Sequence, residues 1–397
     1  MPMGIESVDK EIRQTIIERG AQDAYRCYQC GMCSGLCPWF LVPNVDFLVN
    51  RIPHNVKIGN ILASEDQTAI ENEVKEIFRC VGCDNCYLYC PRGVNIGDIV
   101  RAIRRILVEY QALPKNLSDV IAKVYSTGNP QGEDEEKRNR WSEKYHIPVY
   151  TPEFEYAYFS CCIPSYDRGL QKIAEATVKI LKFAQVSFGL PPSKLVCCAE
   201  VVRNIGAENI FLELAENNIK EINKSGIRKL LVSSPHCYTT YKNEYRDLGF
   251  RGEVLHTTQL YAQLIKENRL TPENPIKKRV IYHDPCTLGR QNNIYEEPRT
   301  VLKAIPGLEL LEFTNFNRQD SICCGAGSGG LWLDWEKNER LANIRINQAI
   351  EAQADIIAVA CPYCMIMFED SIKTLGASLE VKEISELLAE SLPQVSD

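Results

Sequence analysis

Apolar and polar positions recur with two different periods along this chain, and the change of period divides it. Between Asn95 and Ala112 the apolar residues of NIGDIVRAIRRILVEYQA return every three or four positions. That spacing predicts an amphipathic helix, capped by Asn95 and ended before Pro114. The segment EDQTAIENEVKEIF (65–78) carries the same period, and residues 1–26 read as a further helix. Beyond residue 155 the pattern becomes short apolar runs alternating with helical stretches. EYAYFSCC, KLLVSSPHC, RVIYHDPC and DIIAVACPYC read as strands, and NIFLELAENNIKEIN and KNERLANIRINQAIEAQ as helices. Strands alternating with helices predict small α/β domains with parallel pairing. The fold class is therefore α+β multidomain, a mostly helical N-terminal domain followed by two repeated α/β domains.

The repeat is visible in the cysteines. Cys162 and Cys286, the pairs Cys197-Cys198 and Cys323-Cys324, and Cys237 and Cys364 are separated by 124, 126 and 127 residues respectively. Each unit places its first and last cysteines just after a predicted strand, where open α/β sheets bind their ligands. The expected boundaries are 1–112 for the helical domain, 113–155 for a connector, 156–275 for the first unit and 276–397 for the second. The run GNPQGEDEEKRNR (128–140) is rich in charge and turn residues and reads as a solvated loop.

Composition narrows the chemistry. With 397 residues, 45% hydrophobic and 24% charged, each domain has enough apolar material for its own core. A net charge of −7 excludes a general nucleic-acid binder and a polybasic membrane anchor. The N-terminus lacks the apolar region of a secretory signal, and no run approaches the ~18 apolar residues of a membrane span. The expected location is cytoplasmic, with any membrane association made through a partner. The unusual number is 18 cysteines, which in that compartment point to metal rather than disulfides.

Two runs share the order C-x2-C-x2-C-x3-C-P: Cys27, Cys30, Cys33 and Cys37 before Pro38, and Cys80, Cys83, Cys86 and Cys90 before Pro91. In two-cluster ferredoxins the fourth cysteine of each such run ligates the other cluster. One cubane [4Fe-4S] cluster is therefore expected on Cys27, Cys30, Cys33 and Cys90, and a second on Cys80, Cys83, Cys86 and Cys37. Zinc is satisfied by four thiolates but does not require this order twice. In the second unit Cys286, Cys323, Cys324, Cys361 and Cys364 offer five thiols. Gly325, Gly327, Gly329 and Gly330 follow the pair and allow close approach of backbone N–H donors to sulfur. The glycine run lacks the preceding strand and the lysine of a phosphate loop. Trp39, Phe40, Trp332 and Trp335 are expected to shield clusters from water, and Met3, Met32, Met365 and Met367 to fill core or boundary space.

CYQCG at Cys27, CPRGVNIGDIVRAIR at Cys90, HDPC at Cys286, CCGAGSGG at Cys323 and CPYC at Cys361 together resemble the CCG-domain iron–sulfur proteins. Within them the chain is similar to the HdrD component of heterodisulfide reductase, or to its HdrC and HdrB components joined in one chain. It is also similar to the iron–sulfur subunits of glycolate oxidase, of lactate oxidation and of anaerobic glycerol-3-phosphate dehydrogenase, and to the HdrD-like component of class II benzoyl-CoA reductase complexes. The resemblance implies a noncubane [4Fe-4S] cluster on the five thiols of the second unit. It also implies other oxidoreductase subunits as partners, carrying flavin or haem. The function implied is single-electron transfer between the cubanes and the noncubane cluster; the alternative is catalytic reduction of a disulfide to two thiols.

The first unit departs from that pattern, because Ser234-Pro-His-Cys237 stands where C-x-x-C is expected. Cys162, Cys197, Cys198 and Cys237 remain, with Cys161 as a fifth thiol. An altered cluster, a simpler four-cysteine site and no metal are all open at this point. His236 is a ligand, a proton donor or a packed ring. His283, Asp284 and Arg290 flank Cys286 and either serve a substrate or, for Asp284 and Arg290, pair with each other.

Overall fold

A computed structural model describes residues 13–61 and 66–393. The N-terminal domain is helical. Asp66 caps Gln67–Arg79 through the Thr68 N–H at 3.2 Å, and Asn95 caps Ile96–Glu109 through the Asp98 N–H at 3.2 Å. Ile96, Ile99, Val100, Ile103, Ile106 and Leu107 form the buried stripe of the second helix. The stretch expected as one helix over 1–26 is broken where it is described. Gly20 takes φ 122° inside a π turn, and Gln22–Arg26 is a 3-10 turn that delivers Cys27. Residues 1–12, Met3 among them, lie outside the described residues.

Each of the two following units is built on a four-stranded, wholly parallel sheet. The first contains β1 (Tyr156–Phe159), β2 (Phe188–Gly189), β3 (Lys229–Val232) and β4 (Glu253–His256), in the order β2-β1-β3-β4. The second contains β5 (Arg279–Tyr282), β6 (Glu309–Leu311), β7 (Ile356–Val359) and β8 (Glu380–Glu383), in the order β6-β5-β7-β8. The central strands β1, β3, β5 and β7 are apolar almost throughout because helices cover both faces. In both sheets the chain runs from an inner strand to the edge and returns on the other side. The switch point thus lies between β1 and β3, and between β5 and β7, where the cysteines emerge. The edge strands β2, β4, β6 and β8 are two to four residues long and carry too little alternation for the sequence to announce them.

The two units are related like the halves of a dimer. Helix Gln171–Phe183 of the first packs on Ile384–Ser391 of the second, and the matching Thr257–Lys266 packs on Glu296–Ala304. A capping box recurs in register, His256 with Gln259 and Glu383 with Glu386. Burial pushes the Glu383 carboxyl up to about 8.

The stretch 128–140 is not a solvated loop throughout. Asn129 is buried and organises the turn through its own side chain, and Arg138 is 2% exposed. Periodicity could not show this, because a single inward-facing residue leaves no repeat. The expected Asp284–Arg290 pair is not formed either. Asp284 receives both Nη groups of Arg299, at 2.7 and 2.8 Å, in a buried pair that Glu312 extends. Arg290 instead donates to the carbonyls of Cys83, Gln319 and Ser321.

Arg104 joins the three domains. Its guanidinium is buried and donates to the carbonyls of Ile77 and Cys80 in the N-terminal domain, Asn204 in the first unit and Ser328 in the second, at 2.7–3.0 Å. Burial draws it down to about 10, still charged at neutral pH. Arg104→Met should leave these carbonyls unpartnered and lower unfolding free energy by about 3–5 kcal/mol, read from anaerobic denaturant titration.

Candidate functional site

Cysteines of the first two runs surround two hollows. Cys27, Cys30, Cys33 and Cys90 line one, and Cys37, Cys80, Cys83 and Cys86 line the other. Cys86 lies between them and borders both. Positive φ at Gln29 (59°), Gly31 (79°), Gly82 (60°) and Asp84 (58°) folds each loop back and turns N–H groups toward sulfur. Gln29 donates from its backbone and its amide to Cys27 Sγ at 3.4 and 3.1 Å, and Val94 N–H to Cys90 Sγ at 3.3 Å. Each hollow therefore offers at least four thiols, N–H donors and apolar walls, which is the donor set of a thiolate-ligated iron–sulfur cluster. Cys30 is the exposed cysteine of the 18, whereas Cys83 is buried.

The second hollow leads into the second repeated unit. Burial pushes the Cys83 thiol up to about 11, with Arg290 opposing and nearby Cys286 adding to the rise. Contact is made by the glycine run. A Cβ on Gly327 would stand 2.3 Å from Val81 O, and one on Gly82 2.3 Å from Ser328 Oγ. Of the glycines expected to serve the cluster, only Gly325 donates to sulfur among the described residues, to Cys323 Sγ at 3.4 Å. Gly327 lets the run lie against the Cys80–Cys83 loop.

The thiols of each unit form a chain. In the second, Cys286 and Cys323 sulfurs are 3.7 Å apart, and Cys364 and Cys324 sulfurs 3.3 Å. Cys361 interacts with Cys364. In the first, Cys198 and Cys237 sulfurs are 3.7 Å apart, and Cys162 reaches Cys197. The residue after each pair has positive φ, Ala199 at 62° and Gly325 at 97°, and each donates N–H to the first cysteine of its pair at 3.4 Å. Cys198 and Cys324, at matching positions, are both held down to about 6 by hydrogen bonds from their paired neighbour and from Cys237 or Cys364.

The two thiol sets meet through one ring pair. His236 and Tyr363 occupy matching positions in SPHC and CPYC and stack with centroids 4.4 Å apart. His236 Nδ1 sits 3.1 Å from Glu200 Oε1, and the ring lies within hydrogen-bonding reach of the Cys361 thiol. Burial alone would lower the imidazole, but Glu200 and Cys361 hold it well above its ordinary value. The ring is thus packed on Tyr363 and also polar, acted on by Glu200 and by a thiol of the other unit. A polar cleft of about 670 Å³ opens between the N-terminal domain and both units, lined by Asp84, Arg101, Glu200, His236, Arg290 and Gln291 among others. Burial raises the Asp84 carboxyl to about 6 despite Gln291 and Arg290.

Around the sites, Trp39 is buried against Trp335 at 4.9 Å, and Trp332 stands edge-on to Tyr363 at 5.7 Å. Phe40 is 67% and Met32 51% exposed, so neither is the shield or filler expected of it. Met365 and Met367 are buried. His283 is buried edge-on to Phe368, its ring nitrogens have no hydrogen-bond partner among the described residues, and burial holds it neutral. The sequence reading missed Arg104, Arg138, Glu200 and Tyr363. Only Tyr363 had a signal, its repeat match to His236.

Comparison with known proteins agrees with this layout. A family profile described as a cysteine-rich domain matches residues 156–242 and 280–369, and one described as a 4Fe-4S dicluster domain matches 23–94. The chain is 32% identical to a probable iron-sulfur-binding oxidoreductase, FadF, of Bacillus subtilis, over 93% of this chain and 60% of that protein. It is 30% identical to EtfAB:quinone oxidoreductase of Syntrophomonas wolfei, over 92% of this chain and 58% of the relative. The chain thus spans about three fifths of the length of these two relatives. It is 28% identical to HdrD of the dihydromethanophenazine:CoB–CoM heterodisulfide reductase of Methanosarcina barkeri, over 92% and 93% of the two chains. A crystal structure of a hypothetical Helicobacter pylori protein shares the fold, with TM-score 0.55 at 13% identity, covering 98% of this chain and 73% of that one. Among the described residues, no helix is long and apolar enough to cross a membrane.

Gly327→Ala should force the second unit away from the Cys80–Cys83 loop. The expected result is about 1–3 kcal/mol of lost stability, measured by anaerobic denaturation.

Proposed function

This chain belongs to the CCG-domain iron–sulfur proteins, with a 4Fe-4S dicluster domain ahead of two cysteine-rich domains, and on that premise we propose that it is the electron-transferring subunit of a heterodisulfide-reductase-like oxidoreductase complex. The observation that carries the reading is the order of the thiol sets. The hollow holding exposed Cys30 comes first, then the hollow of Cys37, Cys80, Cys83 and Cys86, then Cys286 and Cys323, which Cys83 faces. Cys27, Cys30, Cys33 and Cys90 would hold one cubane cluster, Cys37, Cys80, Cys83 and Cys86 a second, and Cys286, Cys323, Cys324, Cys361 and Cys364 a noncubane cluster. Bound there, such clusters supply one-electron storage and transfer. The chain's own part is to space and insulate them. Arg104 and Arg290 lock the intermediate loop by its carbonyls, and Trp39 and Trp335 keep water out. Electrons would enter or leave at the Cys30 face through a flavin- or haem-containing partner. The names of the relatives, a quinone oxidoreductase and a heterodisulfide reductase among them, support such a setting.

A second reading is favoured by the cleft, which reaches His236 where the two thiol sets face each other. There a disulfide would take up two electrons and two protons, break its S–S bond and leave as two thiols. Reduced viologen consumed in step with thiol release from an added disulfide would establish that reading.

Cys324→Ala, purified without oxygen, should abolish the noncubane electron paramagnetic signal and leave both cubanes reducible; loss of the cubane signals instead would sink the site assignment. His236→Leu takes away the polar ring that acts on the Cys361 thiol. It should shift the second unit's reduction potential downward in a redox titration and leave the cubane potentials in place.

A further inference from the structure

We propose that the first repeated unit also holds an iron–sulfur cluster, on five thiolates, with Cys161 supplying the one that Ser234 cannot. The inference rests on the reading that these units bind such clusters, and it names the ligand set of the unit whose motif is broken.

Strand register places the two residues side by side. Phe159 of β1 pairs with Val232 of β3 in the parallel ladder, so two residues further on Cys161 emerges beside Ser234. In the second unit Tyr282 pairs with Ala358, which brings Pro285 beside Cys361. Pro285 matches Cys161 in the repeat and Cys361 matches Ser234. Each unit therefore has one thiol on this neighbouring pair, after β7 in the second unit and after β1 in the first. The total is five thiols in both.

Backbone geometry shows that the position is held for the thiol. Cys161 has φ 74° and ψ 156°, a region that only glycine enters without strain. A side chain is kept there against roughly 1–3 kcal/mol of strain. That side chain points inward: Cys161 is 4% exposed and lies within hydrogen-bonding reach of Cys237. Ser234 is fully buried and its hydroxyl has no hydrogen-bond partner among the described residues. A hydroxyl is also a far weaker acid than a thiol, and so a poorer ligand for iron.

Charge gives the second, independent observation. The Arg138 guanidinium is 2% exposed, with Nη2 3.6 Å from Cys162 Sγ. Its Nε and Nη1 have no hydrogen-bond partner among the described residues, and the charged or ionisable groups that act on it are Cys162, Tyr166 and Cys197 rather than a carboxylate. It packs over the rings of Phe159 and Tyr166. A buried cation without a counter-ion is costly. Thiolates carrying a cluster of net negative charge would supply that counter-ion.

The test uses the full chain purified anaerobically, with iron and sulfide assays and electron paramagnetic spectra. At four irons per cluster, the unaltered chain should carry about 16. Cys161→Gly suits the backbone and should fold, yet retain about 12, a loss of one quarter, with the other signals unchanged. Adding Ser234→Cys to that variant should restore the iron, and Ser234→Ala alone should leave it unchanged. Full iron in Cys161→Gly, or iron lost from Ser234→Ala, overturns the ligand assignment. About 12 irons in the unaltered chain, with the second unit's signal present, overturns this inference alone. An iron-free, folded chain overturns the reading beneath it.

Discussion

One buried guanidinium holds the arrangement together. Arg104 sits on the capped helix of the N-terminal domain and has no carboxylate partner among the described residues; its hydrogen bonds go to four carbonyls from three domains. A charge so buried is tolerable only while those carbonyls converge on it. It therefore makes the relative placement of the domains a requirement of its own solvation. Glycines complete the fit. Gly206 lies so close to the Arg104 backbone that a Cβ would stand 2.5 Å from its carbonyl carbon, and Gly327 presses on Val81 in the same way. The distance from the Cys80–Cys83 loop to the second unit's thiols follows from these contacts.

The pseudo-symmetric pairing of the two units serves a different end. Because each packs its helices on the other's, the C-terminal ends of the two central strand pairs face one another. The SPHC and CPYC turns then meet, and their middle residues stack. The pairing is unequal where chemistry matters. His236 reaches the other unit's Cys361, while Tyr363 offers the first unit a phenol that burial keeps protonated. Divergence at matching positions has produced a junction with two distinct sides from a repeated fold.

The polar groups around the thiols also divide by side. Arg138 faces the first unit's sulfurs, and Arg290 the sulfurs of Cys83, Cys286 and Cys323. Asp284, beside Cys286 in sequence, is fully engaged by Arg299 and contributes rigidity. His283, without a hydrogen-bond partner among the described residues, is kept neutral by burial. Proximity to a cysteine along the chain thus picked out Arg290 beside Cys286 but not the other charges that face sulfur. Arg138 is 24 residues from its cysteine, and His236 acts on a thiol 125 residues away.

Sequence alone determined what is local or repetitive. The C-x2-C-x2-C-x3-C-P runs, the helix from Ile96, the four central strands and the 124–127-residue repeat are written as spacing, and spacing survives in one dimension. The short edge strands, the inward turn of Arg138, the Asp284–Arg299 pair, the junction at Arg104 and the contact of His236 with Cys361 left no such mark. Each depends on which distant segment ends up alongside. That is decided by solvation of buried charge and by close backbone approach, and both exist only once the chain has folded.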